Sequence, residues 1–416
     1  MHRRPPILLG TLLLFAMPAM PTETLAPALA LGERPAELVA SMRESPLKTR
    51  LERCIGQPPR RSAFSIGHRG APLRYPEHTR ESYEAAARMG AGYIECDVTF
   101  TRDRALVCRH AQCDLHLTTD ILATPLAARC ARAFRPARFD GEGRLLEEAD
   151  AYCCTSDLTL AEFRQLRGRH PGSDPRATTA EAYQAARTPT EQAPSYGLLL
   201  THRESIDLIR ELGARYVPEL KGADEELGFG ESGYTLESYA AALVAEYRSA
   251  GVDPADVRLQ SFDLAVVRHW LAAAPEFGRR AILLDGRYVR PGFDPGVPAT
   301  WRPGMSELAD LGIRTLAPPL WVLLAPEEGR IVPSAYARAA TAAGLELMTW
   351  TLERSGSLTS GGGWYYQSVA ALVSREGDVY DVLEVLAREV GVRGVFSDWP
   401  ATVTLYANCQ EAPGAG

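Results

Sequence analysis

Short apolar runs alternate with amphipathic helical segments along most of this chain, and almost every run ends in a residue able to do polar chemistry. Residues 64–66 lead to His68, residues 93–98 contain Glu95 and Asp97, and residues 216–220 contain Glu219 and lead to Lys221. Further on, 257–263 carries Ser261 and Asp263, 345–351 carries Trp350, and 394–398 ends in Asp398. Helix patterns at 79–89, 204–212, 235–249, 264–273, 334–343 and 378–390 separate these runs, and two more strands are expected at 281–284 and 312–316. Strand, helix, strand order needs crossover connections, which make a parallel sheet covered by helices. Counting 106–110, the candidate strands number nine. They reduce to the eight of a TIM (β/α)8 barrel if that run is an accessory hairpin, and 416 residues suit such a barrel with insertions. The C-terminal ends of barrel strands converge on one face, so the polar residues named above are expected to meet there.

The stretch 64–110 concentrates this chemistry. Glycines on either side of His68-Arg69 permit a tight turn, and Thr79 reads as the N-cap of a helix closed by Gly90. Glu95 and Asp97 are two apart, so both carboxylates share one face of a strand and Cys96 takes the other. A turn at Thr101-Arg102-Asp103-Arg104 followed by a returning strand would bring His110 back beside that acidic pair.

A net charge of -7 provides no basic excess for a nucleic-acid backbone, though a local cationic site for one phosphate is compatible with it. Only Lys48 and Lys221 are lysines among 45 basic residues, so a lysine retained directly after Val217-Pro218-Glu219-Leu220 suggests a compact ammonium that a guanidinium does not replace. Residues 1–30 read as a signal peptide: Arg3 and Arg4, an apolar stretch over 7–17, then small residues, with cleavage after Ala30 or near Ala19. No other run approaches membrane-spanning length, so no stable membrane anchor is expected. Eight cysteines in an exported chain imply disulfides. Cys113, Cys130, Cys153 and Cys154 cluster, and Cys54 and Cys409 flank the main domain. After a lead-in over 31–60 with one helical patch at 36–45, the barrel is expected over 61–405, interrupted by a disulfide-held insertion at 111–205 after the second strand and its hairpin, and followed by a tail at 406–416.

The motifs His68-Arg69-Gly70, Pro76-Glu77-His78-Thr79, Glu95-x-Asp97, Val107-x-x-His110, Glu219-x-Lys221, Ser261-Phe262-Asp263, Thr349-Trp350-Thr351 and Ser397-Asp398-Trp399-Pro400 resemble, in order and over roughly 62–404, the glycerophosphodiester phosphodiesterase family. The cysteine-bearing insertion is similar to that of its larger exported members. The resemblance implies a TIM barrel, a divalent cation (calcium or magnesium), and hydrolysis of small glycerophosphodiesters to glycerol 3-phosphate and an alcohol, in the periplasm or outside the cell. Two positions depart from the common pattern: Ala111 where many members carry aspartate, and His78 where many carry asparagine.

On this reading His68 and His110 form an acid–base pair, since histidine alone has an unperturbed pKa suited to both roles near neutrality. Glu95, Asp97 and Glu219 are expected to bind the cation; without one they would form a salt-bridge network with Arg69, Arg109 or Lys221. Arg69 offers a fork to phosphate and Lys221 a point charge. Trp350 walls the glycerol side or serves as core, and Glu77 orients the cation shell, binds a hydroxyl or sits at a helix start. His78 either adjusts the site or only follows the turn, and Asp398 either supports it or caps the next segment. Two rival readings are a phospholipase C- or D-like enzyme acting on intact lipid, helped by exposed aromatics Tyr152, Phe163, Tyr183 and Tyr196 on the insertion, and a non-catalytic wall-binding protein. The latter predicts loss of an imidazole or ligand, and all five are present.

Overall fold

The structure is a computed structural model that describes residues 28–184, 194–222 and 234–410. Most of the expected signal peptide (1–27) and the end of the expected tail (411–416) lie outside the described residues. Eight parallel strands form a TIM barrel. In chain order they are Ser62–Gly67; Ala91–Ile94 running on into Asp97–Phe100; Arg215–Tyr216 with Glu219–Leu220; Gln260–Ser261; Ile282–Leu284; Thr315–Ala317; Glu346–Leu347 with Thr349–Leu352; and Val395–Ser397. Each pairs with its neighbours in sequence, and the first pairs with both the second and the eighth, which closes the ring. The ninth candidate, Leu106–Cys108, returns antiparallel on Asp97–Phe100 as an accessory hairpin.

Helices follow the strands where the caps direct them. Thr79 accepts from the Ser82 amide to start Arg80–Arg88, and Asp263 accepts from the Ala265 amide to start Leu264–Ala273. The barrel interior is plugged by Ile66, Tyr93, Val217, Ile282, Leu284, Ala317, Met348 and Phe396, all buried. A second, larger apolar layer lies between strands and helices. Each of the larger aliphatic and Phe side chains of the plug contributes roughly 1.5–3 kcal/mol by burial. Strand periodicity then decides what stands above the plug. Residues two further along share the interior face, so His68 follows Ile66, Glu95 and Asp97 follow Tyr93, Glu219 and Lys221 follow Val217, Trp350 follows Met348, and Asp398 follows Phe396.

The lead-in holds two helices, Arg34–Ser41 and Pro46–Cys54, rather than one patch over 36–45. Ser45 is extended and accepts from the Lys48 amide, and Pro46 takes the first helical position, so the pair starts a second helix. A disulfide from Cys54 to Cys409 ties this segment to the last helix, Pro400–Gln410, which runs through the expected boundary at 405. The other three bridges are Cys96–Cys108, Cys113–Cys154 and Cys130–Cys153. The last two hold the insertion, which has an apolar cluster of its own that includes Leu115, Ile121, Leu158, Phe163 and Tyr183 and abuts Val107 of the hairpin. Phe163 and Tyr183 are therefore buried, contrary to the expectation of exposure; Tyr152 is half-buried and only Tyr196 of the four is exposed. The insertion's small strands and short helices pack these two rings together with its leucines, isoleucine and alanines into that cluster. No helix among the described residues is long and apolar enough to cross a membrane.

Candidate active site

The C-terminal mouth of the barrel holds a cavity of about 380 Å³ lined by His68, Arg69, Glu95, His110, Glu219, Lys221 and Trp350 among others. Its base is set by the turn after the first strand. Arg69 adopts φ 54° and Gly70 φ 93°, and a Cβ on Gly70 would overlap Ser82, so only glycine permits this close pass of turn and helix. The turn points the Arg69 amide at Glu95 Oε2 (3.0 Å) and its guanidinium Nη1 at both oxygens of Glu77 (3.1 and 3.0 Å). Arg69 Nε lies 3.4 Å from Asp97 Oδ2.

His68 Nδ1 donates to Asp398 Oδ1 at 2.6 Å, which leaves Nε2 facing the acidic group, 3.8 Å from Glu95 Oε2. Burial pulls this imidazole down to about 4, with Asp398 opposing. His110 follows the end of the hairpin strand: Val98 pairs with Cys108, the Arg109 amide donates to the Asp97 carbonyl at 2.7 Å, and the chain then leaves the sheet. It lines the same cavity as His68, and burial, assisted by Arg69 and Lys221, holds it well below its ordinary value.

Oxygens of Glu95, Asp97 and Glu219 lie within 4.8 Å of one another, all three residues buried. Gln260 Nε2 donates to Glu95 Oε1 (2.6 Å), and His78 Nε2 meets Asp97 Oδ2 at 3.0 Å while its Nδ1 meets the Tyr83 hydroxyl at 3.0 Å. Lys221 Nζ lies 2.7 Å from Glu219 Oε1. Burial together with Asp97 and Glu219 pushes Glu95 well above the carboxylate range. Burial and Asp97 lift Glu219 to about 7 against the pull of Lys221. Lys221, then His78 and Arg69, overcome burial to hold Asp97 well below it. Three carboxylates this close do not all ionise without compensation. Asp97 Oδ1 is buried and has no hydrogen-bond partner among the described residues, so the donor set suits a hard divalent cation with an oxygen left to bind it.

The structure thus brings His68, His110, Arg69, Glu95, Glu219, Lys221 and Trp350 to one cavity, with Asp97 in the carboxylate cluster and Glu77 behind Arg69. Glu77 stands apart from that cluster: its oxygens face Arg69 and Arg354, which hold it well below the carboxylate range despite burial, and it groups with His110 and Asp114 within 4.8 Å. Ser261 and Asp263 do not join the site. The Ser261 hydroxyl donates to the Leu220 carbonyl (3.2 Å) and Asp263 caps a helix, because both are on the other phase of the strand; Gln260 and Phe262 face inward instead. Arg354, whose Nη1 donates to Asp398 Oδ2 at 3.0 Å, had no motif to announce it.

A closed parallel barrel whose C-terminal face carries two imidazoles and a buried carboxylate triad able to hold a cation defines an enzyme-type TIM barrel. Residues 68–402 match the glycerophosphoryl diester phosphodiesterase family, and the chain belongs to it. It is 42% identical over 246 residues to an extracellular protein of the fungus Arthroderma benhamiae, a match spanning 57% of this chain and 98% of that one. It is 51% identical over 47 residues to a probable glycerophosphodiester phosphodiesterase of Mycobacterium tuberculosis, covering 11% of this chain and 17% of that relative. A crystal structure from Silicibacter pomeroyi DSS-3, provisionally described as a glycerophosphoryl diester phosphodiesterase, superposes with a TM-score of 0.53 at 20% identity, covering 86% of this chain and 97% of the other.

Proposed function

We propose that the chain hydrolyses glycerophosphodiesters to sn-glycerol 3-phosphate and an alcohol in a reaction that needs a divalent cation. The observation that carries this reading is the sharing of one cavity by His68, His110, Arg69 and Lys221 with two members of the buried carboxylate triad. Glu95, Asp97 and Glu219 would hold the cation, calcium or magnesium, which when bound supplies charge neutralisation and Lewis-acid polarisation of a phosphoryl oxygen. Asp398 orients His68 with Nε2 towards the substrate. One imidazole takes the proton of the attacking oxygen, from water or from the substrate's own glycerol hydroxyl, as that oxygen bonds to phosphorus. The P–O bond to the alcohol breaks, the other imidazole protonates the departing alkoxide, and water opens the cyclic phosphate where the hydroxyl attacked. Arg69, kept in place by Glu77, and Lys221 face the phosphate charge, and Trp350 walls the cavity.

Four disulfides fit folding in an oxidising compartment, in keeping with a similar protein described as extracellular, so the enzyme acts outside the cytoplasm. The intact-lipid reading loses support, since two of the four insertion aromatics it relied on are buried. The test is glycerol 3-phosphate release from several glycerophosphodiesters, with and without chelator. Chelation should abolish release and added calcium or magnesium restore it, and His68→Ala should lower kcat roughly 10²–10⁴-fold. Absence of release by the cation-loaded wild type overturns the proposal.

A further inference from the structure

Five aromatic rings form the outer part of the cavity wall: Phe262, Tyr288, Trp350, Trp364 and Tyr365. They come from four separate segments and meet around Trp350, whose ring centroid lies 5.8 Å from Phe262, 5.9 Å from Tyr288, 6.3 Å from Trp364 and 6.1 Å from Tyr365. Mutual packing does not account for the cluster, because Phe262 and Trp364 each remain 42% exposed. Leaving large rings in water forfeits burial free energy. The backbone is also built to present them. Gly361, Gly362 and Gly363 take φ 85°, 72° and 66° just before Trp364, and a Cβ on Gly362 would stand 2.6 Å from the Tyr366 ring. Only glycine supports that turn without strain.

The charges beside these rings are already matched. Lys221 pairs with Glu219 at 2.7 Å, Arg354 with Asp398 at 3.0 Å and Arg69 with Glu77 at 3.0 Å. Among the described residues, Glu95 and Glu219 are the acidic ones lining the cavity, and both belong to the buried triad. A primary ammonium entering the wall would surrender strong hydration and find no carboxylate in exchange. A quaternary ammonium is weakly hydrated, spreads its charge over methyl groups, and is bound by ring faces alone.

Building on the proposed hydrolysis, we infer that the aromatic wall is a head-group subsite for a quaternary ammonium, so that choline-type glycerophosphodiesters are the preferred substrates. The deep carboxylates and cations take the glycerophosphate end, and the exposed rings take the alcohol end. The cavity, about 380 Å³, is at the small end of the roughly 300–1,000 Å³ common for ligand pockets, in keeping with a diester that lacks acyl chains.

The test compares kcat/KM of the cation-loaded full chain for glycerophosphocholine, glycerophosphoethanolamine and glycerophosphoglycerol, in wild type, Phe262→Leu and Trp364→Leu. Wild type should favour the choline diester over the ethanolamine diester by about tenfold, and each variant should shrink that ratio, mainly through KM. Trp364→Tyr, which keeps a ring face, should retain most of it. Equal kcat/KM for the choline and ethanolamine diesters, or a preference that neither leucine variant alters, overturns the head-group subsite and leaves the hydrolase reading standing. Release from none of the three diesters overturns both.

Discussion

Replacing Glu219 by glutamine probes the proposed cation site with the least change of shape. The amide keeps one oxygen near Lys221 and removes one negative charge from a triad whose oxygens lie within 4.8 Å of one another. In the cation-free protein Glu219 binds its proton up to about pH 7, against an ordinary 4.5, because burial and Asp97 outweigh Lys221. The folded chain therefore carries more proton than the unfolded chain between those two values. Stability falls as pH climbs through that window, by about 3 kcal/mol from this group, and levels off above it. Glutamine does not titrate, so the variant loses this slope. With cation present the sign reverses: at about 4 Å and an effective dielectric of 20 two unit charges attract by about 4 kcal/mol and a divalent cation doubles this, so losing one carboxylate weakens cation binding by about 10³-fold or more.

The assay is thermal unfolding at pH 5 and pH 8, in chelator and across a calcium or magnesium titration, alongside glycerol 3-phosphate release. In chelator at pH 8 the variant should unfold at a higher temperature than wild type, and with saturating cation the order should invert. The cation-induced shift of the wild type should grow from pH 5 to pH 8, and variant turnover should fall with its cation affinity. A variant with wild-type turnover and a wild-type cation-induced shift would remove Glu219 from the ligand set and refute the three-carboxylate site.

Two further outcomes are expected. Asp398→Asn disturbs the partner of His68 Nδ1 and should cut kcat roughly 10²–10⁴-fold with little change in KM, whereas unchanged turnover would reduce Asp398 to a structural partner of Arg354. Removing the Cys54–Cys409 bridge as a double serine variant should cost about 2–5 kcal/mol in denaturant unfolding and leave turnover at 25 °C unchanged, since the bridge joins the lead-in to the last helix away from the cavity; an unaltered unfolding midpoint would contradict this.

Those parts of the fold and site that a period of two or 3.6 encodes were legible in the chain. The run from Tyr93 through Glu95 to Asp97 states its own interior face, and the helix Leu264–Ala273 spans the residues its helical pattern marks. The fourth strand was misread because its polar residues, Ser261 and Asp263, attracted attention to the wrong phase, whereas the alternation through Leu259 leaves Gln260 and Phe262 on the face that reaches Glu95 and the cavity. Arg354 sits in a loop and Trp364 in a single 3-10 turn, Gly363–Tyr366, too short for any periodicity to relate it to the barrel axis; the local signal is the Gly361-Gly362-Gly363 run that precedes Trp364. The insertion aromatics were misjudged for a related reason. Composition does not say which rings a disulfide-held segment will enclose, and Phe163 and Tyr183 became its core.

The Cys96–Cys108 bridge shows how one alternation serves two ends. Cys96 stands between Glu95 and Asp97, so the same pleat that turns both carboxylates into the barrel turns its sulfur outward, towards Cys108. Val98 pairs with Cys108 and the Arg109 amide reaches the Asp97 carbonyl; the paired strand ends at Cys108, and the chain turns after it to bring His110 into the cavity. A slip of one residue would turn Cys108 away from Cys96 and shift the point at which the chain leaves the sheet for the cavity. A three-residue edge strand is weakly held by hydrogen bonds alone, and the disulfide pins the register on which the spacing of the second imidazole from the carboxylates depends.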